Sequence, residues 1–209
     1  LRPKEIRLTG VNLALKRFLD VALIILTAPF TLLLALLIAV LIRLDSPGPI
    51  LFQQRRIGKN GQPFICLKFR TMIVDAEERK AELAVHNEAD GPLFKMRADP
   101  RITRFGRWLR RRSLDELPQL INVLRGEMSL IGPRPALPEE VARYEHWHHR
   151  RLEVQPGCAG LAQALGRSDI SFDEQVRLDI YYAENWSLAM DVRVLVMIIP
   201  AVLSGRGAY

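Results

Sequence analysis

Residues 21–42 read VALIILTAPFTLLLALLIAVLI, a run without a single charge. About 20 apolar residues in a helix, at 1.5 Å rise each, match a hydrocarbon core about 30 Å thick. Pro29 complicates a simple crossing. It has no amide hydrogen and its ring clashes with the preceding turn, so the sequence predicts a kink or break at Ala28 and Pro29. The arms Val21–Ala28 and Phe30–Ile42 would extend only about 12 and 20 Å as helices. A chain that turns between them enters and leaves one leaflet, and this re-entrant helix-break-helix is the expectation; a kinked spanning helix is the alternative. Lys16 and Arg17 precede the run, while Arg43, Arg55, Arg56 and Lys59 follow it. Positive charge therefore favours sending neither flank across, which leaves both on the cytoplasmic side. The run is too long for a cleavable leader and continues into Asp45-Ser46-Pro47-Gly48 rather than a small-residue cleavage site.

Outward from this segment, 209 residues suffice for one domain of ordinary size. The expected division is a membrane element over 1–45 and a membrane-associated catalytic domain over 46–209. Eight bases face one acid, Asp99, between Lys95 and Arg112, and that patch accounts for the net charge of +7. Concentrated positive charge points to phosphate, in a nucleotide or an anionic lipid. Nucleic acid is disfavoured beside a membrane anchor. Cys66 and Cys158 stand in no paired motif, so neither zinc nor a disulfide framework is suggested. Among His146, His148 and His149 the adjacent positions project in different directions on a helix and no second ligand pair accompanies them, so they read as a solvated or membrane-facing surface.

The rest of the pattern is mainly α with a small β-hairpin, an α+β class. Ile50–Gln54 and Phe64–Phe69 read as strands flanking Gly58-Lys59-Asn60-Gly61. Asp75–Leu83 is helix-prone, and Asn87–Pro100 reads as a loop. Ile102, Phe105, Trp108 and Leu109 then form an apolar stripe beside Arg101, Arg104, Arg107, Arg110 and Arg111, an amphipathic helix suited to the headgroup level of a bilayer. A second helix is expected to bury Leu117, Leu120, Ile121 and Leu124 and to stop at Gly126. Leu137–Leu152 and Asp173–Glu184 read as helices. Val194–Leu203 is too short to cross a bilayer and fits an interfacial or core helix.

Chemistry concentrates at Ser113-Leu114-Asp115-Glu116-Leu117-Pro118. Ser113 and Glu116 have capping-box spacing, and acids in a first turn complement the helix dipole, so a purely structural role explains them locally. Their setting adds another role. Two adjacent carboxylates follow Arg110, Arg111 and Arg112 in a membrane-anchored chain. Carboxylates bind Mg²⁺ or attack phosphorus while arginines orient phosphate oxygens, the two needs of phosphoryl transfer. Lys68 and Arg70 share one face of a strand and offer two more phosphate donors. Arg134 is displayed from the stiff Gly132-Pro133-Arg134-Pro135 loop. Arg167, after the Pro156–Gly160 loop, is a weaker candidate cation.

Taken together, Lys16–Asp20, Lys68–Met72, Ser113–Gln119, Asn122–Met128, Gly132–Pro135, Pro156–Gly160, Ser171–Tyr182 and Ser204–Tyr209 resemble the bacterial sugar transferase family, the monotopic phosphoglycosyl transferases. The resemblance implies that Asp115 attacks the β-phosphate of a UDP-sugar, releasing UMP, and that polyprenyl phosphate then takes the phosphosugar in a ping-pong order. It implies that Glu116 assists as metal or acid/base partner, with Mg²⁺ bridging carboxylate and diphosphate. It further implies that Lys68, Arg110, Arg134 and Arg167 bind substrate phosphate, and that the catalytic domain rests on the cytoplasmic leaflet of the bacterial inner membrane. Some members carry Ser-Pro at the helix break, where this chain has Ala28-Pro29. The missing initiating methionine fits the catalytic part of a longer member.

A membrane pyrophosphatase or lipid phosphatase, using water as acceptor, is the competing enzyme. A basic scaffold on anionic lipid is the non-enzymatic one. Neither the sugar nor association into a homo-oligomer is decided by these residues.

Overall fold

A computed structural model describes residues 6, 8–76, 78–80, 83, 96, 98–165 and 170–204. Helix α1, Gly10–Asp45, opens the chain and is about 54 Å long at 1.5 Å per residue. It is the one helix among the described residues long and apolar enough to cross a membrane. Leu26, Phe30, Leu32, Leu33 and Leu36 all stand exposed on it. So large an apolar surface demands lipid or protein cover.

The expected division at Pro29 does not appear as two helices: α1 runs through Ala28 and Pro29 without interruption. A proline removes one donor from the helix ladder. Flanking it, the Thr27 hydroxyl donates to the Leu23 carbonyl at 2.8 Å and the Thr31 hydroxyl to that of Ala28 at 3.2 Å. Such back-bonding permits a bend while the helix continues.

Strands β1, Leu51–Ile57, and β2, Pro63–Phe69, form the expected antiparallel hairpin, with Leu51 opposite Phe69 and Ile57 opposite Pro63. Helix α2, Arg104–Arg111, docks on the chain just after β2. A Cβ on Gly106 would lie 2.1 Å from the Thr71 carbonyl oxygen, so only glycine permits this approach. The Thr103 hydroxyl caps α2 by accepting from the Gly106 amide at 3.0 Å.

Helix α3, Gln119–Arg125, stops at Gly126 as expected. Its buried face differs from the expected one. Asn122 and Val123 are buried while Ile121 and Leu124 are exposed, because the helix begins later and is rotated by the turn before it.

Strands β3, Ser129–Ile131, and β4, Gly157–Ala159, make a second, parallel pair that the sequence reading lacked. The predicted Leu137–Leu152 helix resolves into α4, Pro138–Val141, and a 3₁₀ segment, His146–Glu153. His148 is buried rather than solvated, packed among Tyr144, Trp147 and Phe172. Helices α5, Leu161–Leu165, α6, Phe172–Asn185, and α7, Leu188–Ser204, complete the fold. Ser171 and Glu174 form the capping box that starts α6. The helix-prone Asp75–Leu83 holds a 3₁₀ turn, Glu78–Lys80, among its described residues, and most of the Asn87–Pro100 loop falls outside them.

Helix α1 belongs to the core on both sides of Pro29. Ile24 packs with Cys66, Val123 and Met128, while Ile38 and Ile42 pack with Phe69 and Leu109. A third cluster joins Ile131, Tyr182, Trp186 and Val194, placing α7 partly in the core; Val192, Val196 and Ile199 remain exposed on it.

Candidate active site

Ser113 is the pivot of the site. Its backbone lies in the left-handed region at φ 54°, ψ 21°, and its side chain caps nothing. The capping-box reading is thereby corrected: the chain turns sharply after α2 and enters a 3₁₀ turn, Leu114–Glu116, before α3 begins. A non-glycine residue held there stores strain, a device common where function fixes a side chain. The result is that Asp115 points inward, only 9% exposed, with Glu116 beside it.

Strand β2 supplies the first cation. Lys68 Nζ donates to Glu116 Oε1 at 2.7 Å. The strand is held in place by Asn122, which mimics a neighbouring strand: its Oδ1 accepts from the Leu67 amide at 3.0 Å and its Nδ2 donates to the Ile65 carbonyl at 2.6 Å. Helix α2 supplies Arg110, whose Nε donates to Thr71 Oγ1 at 2.9 Å and whose charge acts on Asp115.

The third cation, Arg134, acts on Glu116 by its charge. Its loop is fixed from several directions. Close contact of β3 with β4 brings Gly132-Pro133 against Pro156-Gly157, where a Cβ on Gly157 would sit 2.1 Å from the Gly132 nitrogen. Buried Glu140 pairs with the Arg134 guanidinium at 3.2 Å and accepts from the Leu137 amide at 2.9 Å. Arg151, paired with Asp179 at 2.5 Å, donates to the Arg134 carbonyl at 3.1 Å. Arg56 donates to the Pro135 carbonyl at 2.9 Å.

These surroundings make the two carboxylates unlike acids. Burial pushes the Asp115 carboxyl above the usual range, and Glu116 adds to the rise against the pull of Lys68 and Arg110. Burial would raise Glu116 too, but Lys68 holds it below its ordinary value, with help from Arg134 and Arg56. Burial, then the neighbouring Arg134, lowers the Arg56 guanidinium to about 10. Cys66 and Cys158 lie nearby, yet burial pushes both thiols up and leaves neither a ready thiolate.

The structure thus brings Lys68, Arg110 and Arg134 to Asp115 and Glu116. It sets Arg70 apart: that guanidinium donates to the Pro47 and Ser46 carbonyls and secures the turn after α1. Arg112 is exposed at the end of α2, and Arg167 falls outside the described residues. Arg101, part of the expected cationic stripe, is buried against Asp99 at 2.7 Å. Arg56, Asn122, Glu140 and Arg151 were missed as site-forming residues. Of these only Asn122 leaves a local trace, as a polar residue interrupting the apolar face of α3.

Adjacent carboxylates with Lys68, Arg110 and Arg134 around them, on a domain packed against one long apolar helix, make up the candidate site. Residues 11–205 match the family model described as bacterial sugar transferase, and the chain belongs to that family of enzymes. It is 44% identical over 198 residues to the galactosyl transferase CpsE of Streptococcus agalactiae serotype III, covering 94% of this chain and 44% of CpsE. Against the exopolysaccharide production protein ExoY of Sinorhizobium fredii it is 42% identical over 198 residues, covering 93% and 88%. The undecaprenyl-phosphate galactose phosphotransferase of Salmonella typhimurium is 42% identical over 169 residues, covering 78% of this chain and 35% of that protein. The chain therefore spans less than half of two of these relatives and most of the third.

Proposed function

We propose that this chain transfers a sugar 1-phosphate from a UDP-sugar to polyprenyl phosphate through a covalent intermediate on Asp115. The observation that carries the reading is the setting of Asp115, buried beside the Lys68–Glu116 pair and within the field of Arg110. In the first step an Asp115 carboxylate oxygen attacks the β-phosphorus. The bond from that phosphorus to the bridging oxygen breaks, and UMP leaves with the electron pair. In the second step a phosphate oxygen of the lipid attacks the same phosphorus and the carboxylate leaves, giving a polyprenyl diphosphate sugar.

Each neighbour has a part. Lys68, Arg110 and Arg134 supply positive charge to the diphosphate oxygens, and fixed cations of this kind stabilise charge without reorganising during the reaction. Glu116, kept ionised by Lys68, orients that lysine. A raised Asp115 carboxyl is a more basic, hence stronger, nucleophile once ionised. The donor set also fits Mg²⁺: two adjacent carboxylates, completed by diphosphate oxygens and water, are how this ion is usually held. Asp115 and Glu116 would hold it, and when bound it would neutralise diphosphate charge.

We also read α1 as re-entrant in the cytoplasmic leaflet of a bacterial inner membrane. Both ends of its apolar run are fastened to one domain, by Lys16 to Asp191 and by Ile42 to the cluster of Phe69 and Leu109. A straight helix would separate those ends by about 39 Å, more than the hydrocarbon thickness. A bend at Pro29 allows both attachments on one side of the membrane.

Product analysis tests the reaction. With UDP-sugar and Mg²⁺ alone, UMP should appear in an amount close to that of the protein and then stop; adding polyprenyl phosphate should restart it. Continuous release without lipid would identify water as the acceptor and make the chain a hydrolase.

A further inference from the structure

A buried polar network that does not include Asp115 joins α1 to β3 and α7. Lys16 and Asp20 lie one turn apart on α1, 5% and 7% exposed. Lys16 Nζ donates to Asp191 Oδ2 on α7 at 2.6 Å and lies 3.9 Å from Asp20 Oδ1. The Asp20 carboxylate accepts from Ser129 Oγ on β3 at 2.6 Å. At the other end of β3, the Tyr182 hydroxyl sits 3.0 Å from the Ile131 carbonyl oxygen and 2.7 Å from Asp191 Oδ1. Trp186 Nε1 donates to Asp191 Oδ2 at 3.2 Å. Both ends of β3 are thereby tied to the same buried charges, while the Arg134 loop that follows β3 is held separately by Glu140, Arg151 and Arg56.

A buried lysine between two carboxylates is expensive in desolvation and adds little stability over an apolar replacement. Its use lies in geometry, because such a pair permits one register between the elements it joins. The elements joined here are α1 and α7, both of which present exposed apolar surface, and strand β3. Lys68, Arg110, Arg134 and Asp115, by contrast, all belong to the domain after α1, and a soluble nucleotide sugar reaches them from water. A lipid phosphate arrives at a depth set by the bilayer. Its meeting with Asp115 depends on how the lipid-embedded helix is registered against the domain.

We propose, resting on the two-step reading above, that Lys16 is a positioning residue for the lipid half of the reaction. Through Asp191 and Asp20 it holds α1 and α7 at the height where a membrane-bound phosphate meets the Asp115 adduct, and the nucleotide-sugar half does not require it.

The full chain in liposomes, with rapid-quench measurement of each half-reaction, tests this. In Lys16→Met, adduct formation from UDP-sugar should stay within about twofold of the unaltered protein, while discharge to polyprenyl phosphate falls about 10–100-fold. The KM for polyprenyl phosphate should rise and that for UDP-sugar should not. Two further variants guard against misfolding: Lys16→Met with Asp191→Leu removes that cation and anion together, and Ser129→Ala cuts only the link to Asp20. Both should show the same selective loss. Equal decline of the two half-reactions, or discharge at the unaltered rate in the folded variants, would overturn the inference. Failure of the unaltered protein to form any adduct would instead overturn the two-step reading, and the inference with it.

Discussion

Lys68 Nζ and Glu116 Oε1, 48 positions apart in sequence, meet at 2.7 Å and divide two neighbouring carboxylates into different acids. Glu116 takes the ion pair and stays charged. Asp115, in the more costly environment for charge, becomes the more basic of the two. Adjacent acids with opposite shifts are a recurrent way of assigning unlike roles to like groups.

Removing the lysine should undo this division. In Lys68→Met the Glu116 carboxyl loses the charge that holds it down, and burial then raises it. Adduct formation should drop about 100-fold or more, the usual cost of losing a fixed donor at such a site. Rapid-quench rates measured across a pH series would show the drop together with a pH profile displaced upward.

The Asp115 shift has a sign that can be checked on stability. A carboxyl raised on folding binds its proton more tightly in the native state. Its contribution is present below the unfolded value near 3.8 and is lost as pH rises through the higher folded value. At neutral pH the ionised Asp115 is therefore a net cost. Asp115→Asn should gain roughly 0.5–2 kcal/mol at pH 7 while losing transfer activity, with the gain shrinking in acid. Denaturant unfolding at two pH values measures it. The rate of adduct formation in the unaltered protein should rise with pH through the same folded value.

Gly106 couples packing to chemistry. A methyl group there would meet the Thr71 carbonyl oxygen at 2.1 Å, and α2 would have to move away from β2. Gly106→Ala should destabilise the protein by about 1–3 kcal/mol in chemical unfolding. Because Arg110 rides on α2 and bonds Thr71, transfer should fall as well.

Much of this fold could be read from local patterns, and the exceptions share a cause. The hairpin follows from alternating strands around Gly58–Gly61, and Gly126 ends α3 where expected. Ser113 misled because the spacing of a capping box is identical whether or not its backbone turns left-handed. Arg70, Arg101 and Arg110 look equivalent in sequence. Only tertiary contact shows that the first holds the Ser46-Pro47 turn, the second pairs with Asp99, and the third faces Asp115. Arg56, read as flanking charge, reaches Pro135 across 79 positions. The dyad itself was legible because its meaning rests on adjacency; the scaffold behind Arg134 was not, because its members are dispersed from Arg56 to Asp179.

The re-entrant reading of α1 predicts one sidedness for its two ends. Single cysteines replacing the exposed residues Thr9 and Asp45 should both react with an impermeant maleimide from the same face of sealed vesicles, above the labelling of the unaltered protein. Reaction from opposite faces would establish a spanning helix.

The most direct measurement is to trap the adduct and locate it. Protein incubated with UDP-sugar labelled in the β-phosphate, quenched and digested, should carry the phosphosugar mass on the peptide containing Asp115, and Asp115→Asn should carry none. Label on another residue, or lipid-dependent turnover by Asp115→Asn at the unaltered rate, would contradict the mechanism.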